Sequence, residues 1–285
     1  MRALMLVGVA GAAAVLKSII PASKPGAREV EVVAMDYAFQ LPRELPGGRT
    51  GFRFRNTGKV AHELHIALLK PGATIEQYVQ LRRDRKPTDS VVEAPVGILF
   101  ALPGKLTSSR LVTDLLAGRD YAVECALRDS ATAPRHVEMG MYSAIHVKGS
   151  KKTTARAPVR ADTIVGTDYA FKLPQTLSPG LHTFVFRNEG KVRHEMVIAL
   201  LAKGVSLERF MEVRKAGGNV RSLSDDRFGL IYARPGVTPL GALEVNLLPG
   251  REYRFICTFM DTEKSPRHFE LGMFGSIKVS GEPVH

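Results

Sequence analysis

The 285-residue sequence has no tryptophan and only two cysteines. Two cysteines cannot make a disulfide framework. No CxxC pair stands near a second CxxC or a spaced histidine pair, which excludes a zinc finger. Aromatic residues are sparse at 7%. Glycine and proline, 26 and 17 of them, are scattered rather than clustered, which favours many turns over long helices. At 45% hydrophobic and 24% charged, the chain is neither a disordered tail, nor collagen-like, nor a multi-span membrane protein. Its formal net charge is +12, but both signs are interspersed along it. Nucleic-acid binders concentrate positive charge on one face, so nucleic acid is not an expected partner.

The N-terminus stands apart. Arg2 precedes an apolar run from Ala3 to Leu16, closed by Lys17. That run is short for a transmembrane helix, which needs about 20 residues. A basic start and a short apolar core predict that residues 1–27 are a signal peptide or an N-terminal anchor. The expected location is therefore exported, periplasmic or otherwise extracytoplasmic, with a membrane tether if the segment stays attached.

The strongest feature is self-similarity. Asp36-Tyr37-Ala38-Phe39 returns as Asp168-Tyr169-Ala170-Phe171, and Phe54-Arg55-Asn56 as Phe186-Arg187-Asn188. Gly58-Lys59-Val60, His62-Glu63, Gly118-Arg119, Tyr121, Cys125, Pro134-Arg135-His136 and Gly140-Met141 all return as well, every pair 132 positions apart. This is a tandem duplication without net insertion or deletion. It predicts two self-sufficient domains, 28–149 and 160–281, joined by a polar, basic linker at 150–159.

Each copy reads as mostly strand. Val30–Ala34 is extended and apolar. Thr50–Asn56 points Phe52 and Phe54 to one side, as His182–Asn188 does Phe184 and Phe186. Glu63–Leu69 and Glu195–Leu201, Tyr121–Leu127 and Tyr253–Phe259, and Met141–Val147 and Met273–Val279 complete the strand set. Thr74 and Ser206 are N-cap candidates for one short helix per copy. The expected fold is all-β, two tandem Greek-key sandwiches or barrels, each with one helix.

The chemistry lies in a second recurring pattern. Each copy has Asn-x5-His, then far downstream Cys-x10-His-x4-Met. These are His62, Cys125, His136 and Met141 in the first copy, and His194, Cys257, His268 and Met273 in the second. Two imidazoles, a thiolate and a weak axial thioether are the ligand set of a blue-copper electron-transfer centre. Such a set suits both oxidation states of copper, so the ion changes charge with little movement. Thioether is a poor zinc ligand, and no oxyanion motif supports a Cys–His nucleophile.

Both copies resemble the cupredoxins, the blue (type 1) copper family. The residues that carry the resemblance are Phe54-x-Asn56-x5-His62, Gly118-x2-Tyr121-x3-Cys125 and His136-x3-Gly140-Met141, with Phe186-x-Asn188-x5-His194, Gly250-x2-Tyr253-x3-Cys257 and His268-x3-Gly272-Met273. The resemblance implies copper as cofactor, up to two per chain, and a redox protein as partner. It also implies an exposed ligand histidine as the electron port. One departure is Glu63 or Glu195 after the first histidine, where many cupredoxins have Asn. It leaves the hydrogen bonding around the cysteine sulfur open.

The remaining candidates have blander readings. Met139 is a rival axial ligand, but its counterpart is Leu271. His65, His146 and His182 lack histidine counterparts and read as surface or half-buried. Asp129 and Asp261 order the ligand loops or merely solvate them. Arg135 and Arg267 could serve docking or loop ion pairs. A Cys125–Cys257 disulfide is not expected. Copper enzymes with two such domains need further histidines beside the cysteine. Here Glu124 precedes Cys125 and Ile256 precedes Cys257. An electron carrier is therefore the expected function. The rivals are a copper storage or delivery protein, a copper-dependent oxidoreductase, and an interaction module without metal.

Overall fold

The computed structural model describes residues 27–149 and 161–281. The predicted signal segment and the predicted linker lie outside the described residues, apart from Ala27. Among the described residues, no helix is long and apolar enough to cross a membrane.

The chain is nearly all β. The first repeat contributes β1 (Arg28–Met35), β2 (Ala38–Gln40), β3 (Glu44–Pro46), β4 (Gly48–Asn56), β5 (His62–Leu69), helix α1 (Ile75–Arg83), β6 (Val92–Ala101), β7 (Arg110–Leu115), β8 (Asp120–Glu124) and β9 (Tyr142–Lys148). The second contributes β10 (Asp162–Thr167), β11 (Ala170–Lys172), β12 (Thr176–Leu177), β13 (Gly180–Asn188), β14 (His194–Leu201), α2 (Leu207–Lys215), β15 (Ser224–Ala233), β16 (Gly241–Leu247), β17 (Glu252–Ile256) and β18 (Phe274–Val279). Thr74 caps α1 through a reciprocal capping box with Gln77, and Ser206 accepts from the Arg209 N–H at the start of α2.

Among the described residues the strands form two sheets, and both run unbroken through the two repeats. One has eight strands in the order β11-β10-β13-β16-β7-β4-β1-β2. The other has ten, β12-β18-β17-β14-β15-β6-β5-β8-β9-β3. At the join, β7 pairs antiparallel with β16, with Leu111 opposite Leu243. In the other sheet Ile98 of β6 stands opposite Leu230 of β15. Leu111 and Leu243 are equivalent residues of the repeat, as are Ile98 and Leu230. The two copies therefore meet across a pseudo-two-fold axis, each offering the same strands to the other. Separate domains were expected. Instead one core holds Leu64, Leu99 and Leu111 of the first copy with Met196, Ile231 and Leu243 of the second.

The ten-stranded sheet is covered on both faces. Along β5, His62, Leu64, Ile66 and Leu68 face the shared core, while Ala67 and Leu69 face α1. Along β14, Met196, Ile198 and Leu200 face the core, while Val197 and Leu201 face α2. All eight residues of each strand are therefore buried.

Two equivalent glycines let the copies approach. Gly97 and Gly229 have φ of +151° and +149°. A Cβ on Gly229 would sit 2.4 Å from the Ile98 carbonyl oxygen, and one on Gly97 would sit 2.6 Å from Ile231 Cδ1. Overpacking at such a position costs about 1–3 kcal/mol. Gly229→Ala is expected to lower stability by that amount in urea unfolding; an unchanged midpoint would mean that the join is not tightly packed.

Candidate metal centres

The three polar side chains singled out in each repeat converge. His62, Cys125 and His136 bring one ligand atom each to within 4.8 Å of the others, and so do His194, Cys257 and His268. In the first repeat the two Nδ1 atoms are 3.1 Å apart, and Cys125 Sγ lies 3.3 Å from His136 Nδ1 and 3.9 Å from His62 Nδ1. In the second the Nδ1 atoms are 3.0 Å apart, with Cys257 Sγ 3.4 Å from His268 Nδ1. Both cysteines are free.

The repeated motifs now have physical reasons. Asn56 is buried at the end of β4, where its amide donates to the carbonyls of Val60 and Ala101 and its oxygen accepts from Gly58 N–H. That side chain pins the short loop that delivers His62. Asn188 makes the same three bonds to Val192, Ala233 and Gly190. Tyr121 Oη accepts from the Leu116 N–H at 2.9 Å and fixes the entry into β8, as Tyr253 does from Leu248.

The ligand loop locks onto itself. Cys125 N–H donates to the Met141 carbonyl, Met141 N–H to the His136 carbonyl, and Val137 N–H to the Cys125 carbonyl. The equivalent bonds join Cys257, Met273, His268 and Phe269. Met141 and Met273 are fully buried, whereas Met139 is 38% exposed.

Glu63 and Glu195 settle the point the resemblance left open. Each backbone N–H donates to the cysteine sulfur at 3.3 Å. Each carboxylate reaches across to the residue after the cysteine, accepting from Ala126 N–H in one case and Thr258 N–H in the other, both at 3.0 Å. Burial pushes the Glu63 carboxyl up to about 7. Burial also pushes both cysteine thiols up, to about 12. A thiolate here needs a cation beside it.

One expectation is overturned. All four imidazoles are fully buried, so none of the candidate ligand histidines is an exposed port. The reason is a cap that the sequence reading missed. Tyr37 lays its ring edge-on to His136, with centroids 5.1 Å apart, and its hydroxyl donates to Asp129 at 2.6 Å. His136 Nε2 in turn donates to Asp129 at 3.0 Å. That bond keeps the proton on Nε2 and leaves Nδ1 bare. Tyr169, Asp261 and His268 repeat the arrangement, at 5.0, 3.0 and 3.1 Å. Asp129 and Asp261 thus orient a histidine rather than merely order the loop. Tyr37 and Tyr169 hold φ of 63° and 64°, a left-handed conformation that costs a bulky residue energy. The twice-repeated Asp-Tyr-Ala-Phe was the available signal. Asp36 lies 3.8 Å from His62 Nε2, a buried nitrogen without a hydrogen bond, and Asp168 lies 3.5 Å from His194 Nε2. Burial lowers the basicity of both His62 and His194.

A second correction concerns His65, which is only 8% exposed. His146 and His182 stay at the surface or half-buried, each beside an aspartate. Arg267 donates to the Thr258 carbonyl within its own loop, and the Arg135 N–H donates to Glu138.

Two imidazoles and a buried thiol with no cationic side chain among them make a donor set that suits copper.

No family model matches the chain, and no curated protein does. Several solved structures are similar. Auracyanin B is 20% identical, with 44% of this chain and 92% of that one covered, at a TM-score of 0.31. Auracyanin A, a blue copper protein from Chloroflexus aurantiacus, is 17% identical over 43% and 100%, at 0.28. A copper nitrite reductase from Nitrosomonas europaea is 12% identical over 90% and 95%, at 0.24. At such scores the weight stays on the chain's own side chains, and by these the chain resembles the cupredoxins in both repeats.

Proposed function

We propose that this chain is an exported electron carrier with a type 1 copper site in each of two Greek-key repeats. The observation that carries the reading is the recurrence of one buried His-Cys-His trio in both copies. His62, Cys125 and His136 would hold one ion, with the Met141 thioether as a further weak donor; His194, Cys257, His268 and Met273 would hold the other. Bound copper would supply a one-electron couple. The chain's own residues keep the donors in place in either charge state. Asn56 and Asn188 fix the loops, the interlocked backbone bonds fix Cys and Met, and Asp129 and Asp261 fix the imidazole tautomer.

Two features favour carriage over delivery or catalysis. Fully buried ligands beneath a tyrosine cap oppose ready release of the ion. The residue before Cys125, where a copper enzyme would place a bridging histidine, is Glu124, and it is committed to Arg82, Tyr78 and His65. With every ligand histidine covered, electrons would pass to a redox partner through the Tyr37 and Tyr169 rings or the loops beside them. The N-terminal segment would direct export and could tether the chain to a membrane.

Reconstitution with Cu(II) is expected to give about two ions per chain and an intense thiolate-to-copper absorption band. Cys257→Ser should remove about half of each; little copper and no band would sink the proposal. Met141→Leu should keep copper but raise the potential of that site in a spectroelectrochemical titration, because the thioether donor is lost. An unshifted potential would show that Met141 is not a ligand. Tyr37→Ala should speed the loss of one ion to a chelator and leave the other at the original rate.

A further inference from the structure

The backbone obeys the pseudo-two-fold axis, but a group of buried side chains beside it does not. Glu124 is the residue before Cys125, and its side chain points to the opposite face of the sheet. There Glu124 Oε1 lies 2.9 Å from His65 Nδ1, and His65 Nε2 lies 2.9 Å from the Tyr232 hydroxyl of the other repeat. Tyr78 donates to Glu124 at 2.7 Å and Arg82 at 3.0 Å. Burial lowers the basicity of His65; the carboxylate can only accept, so Nδ1–H donates to it. Beyond Tyr232 stands Arg193, its guanidinium 4.2 Å from the Tyr232 ring centroid and 4.7 Å from that of Phe259. Arg193 precedes His194 in the chain. Phe259 packs edge-on against His268, with centroids 5.6 Å apart.

Apart from Arg82, whose counterpart is Arg214, none of this has a mirror image. The counterparts of Glu124, His65 and Tyr78 are Ile256, Val197 and Phe210. Those of Tyr232, Arg193 and Phe259 are Phe100, Ala61 and Leu127. The second repeat proves that the same strands pack with apolar side chains at these places. Buried ionic groups are not needed for stability, and apolar replacements are often neutral or better. The polar set occurs once, and it forms an unbroken line from one proposed thiolate ligand to both imidazoles of the other site. The line consists of covalent bonds, two hydrogen bonds and a stacked cation, with an edge-on ring contact on the branch to His268.

We propose that Glu124, His65, Tyr232 and Arg193 form an internal path for an electron between the two metal sites of one chain. The inference rests on the copper reading above. In the step, the reduced ion of one repeat loses one electron and the oxidised ion of the other gains it. No bond forms or breaks, no proton leaves, and Tyr232 remains a phenol. A chain built this way accepts an electron at one end and offers it at the other.

The test uses the full chain with both sites loaded. The single-site variants Cys125→Ser and Cys257→Ser assign each site's EPR signal. A reducing pulse of less than one electron per chain should then give a first-order phase, independent of protein concentration, in which one signal falls as the other recovers. Tyr232→Phe removes only the hydroxyl and should slow that phase severalfold. Copper content, both EPR signals and the melting temperature of the metal-free protein should stay close to wild type. The triple exchange His65→Val, Tyr78→Phe, Glu124→Ile, which gives the first repeat the residues the second already carries, should slow it too, so the result does not hang on one variant folding. An exchange rate equal to wild type in both variants, or no intramolecular phase in the wild type, overturns the path and leaves the network as a docking element. Failure to take up copper overturns the path together with the proposed function.

Discussion

A side chain on β5 or β14 has nowhere to meet water. The shared core lies on one face and a helix on the other, so alternation along the strand decides what each residue can do. His62 and His194 begin these strands on the core side. There an imidazole is desolvated, and it needs either a proton-accepting partner or a metal. Glu63 and Glu195 come next, on the opposite side. Their backbone N–H groups still reach the cysteine sulfur, and their carboxylates hold the residue after it. One covered strand thus supplies a donor, a hydrogen bond to the sulfur and a clamp on the ligand loop. A strand with one wet face could not, because water would compete for each of these bonds.

Much of this was legible in the sequence. Duplication with a fixed offset gave the trio twice, and the phenylalanine alternation in β4 and β13 put Phe52, Phe54, Phe184 and Phe186 in the core, where they are buried. Both helices and their caps were read from Thr74 and Ser206. The strands that join the repeats, β6, β7, β15 and β16, went unrecognised. Their assignment depends on pairing with each other across the axis, and no local pattern encodes a partner more than a hundred residues away. The cap was missed for a related reason. Tyr37 reaches Asp129 across 92 positions, so the repeated Asp-Tyr marked a role without saying which. His65 was read as unremarkable because it lacks a histidine counterpart, yet that lack is what singles it out.

Duplication also explains how such an exception can arise. A homodimer built on a two-fold axis must change both sides of its junction together, because the same residue serves both. Fusing the copies in one chain frees each position to vary alone. Here the glycines and leucines on the axis stayed paired, as the close approach demands, while the side chains one layer out diverged.

That divergence has a direction. In the second repeat Val197, Phe210 and Ile256 pack together under α2, with the buried Arg254 lying over the Phe210 ring. In the first, the same layer carries a carboxylate held in its charged form, against the cost of burial, by His65 and Arg82. Removing one member of a buried charged set strands the others and costs far more than the set contributes. Glu124 is tied in this way to His65 and Arg82, while the second repeat keeps the arginine alone, as Arg214. The network spans from the residue before a proposed ligand of one site, through His65 and Tyr232, to the residue before a proposed ligand of the other.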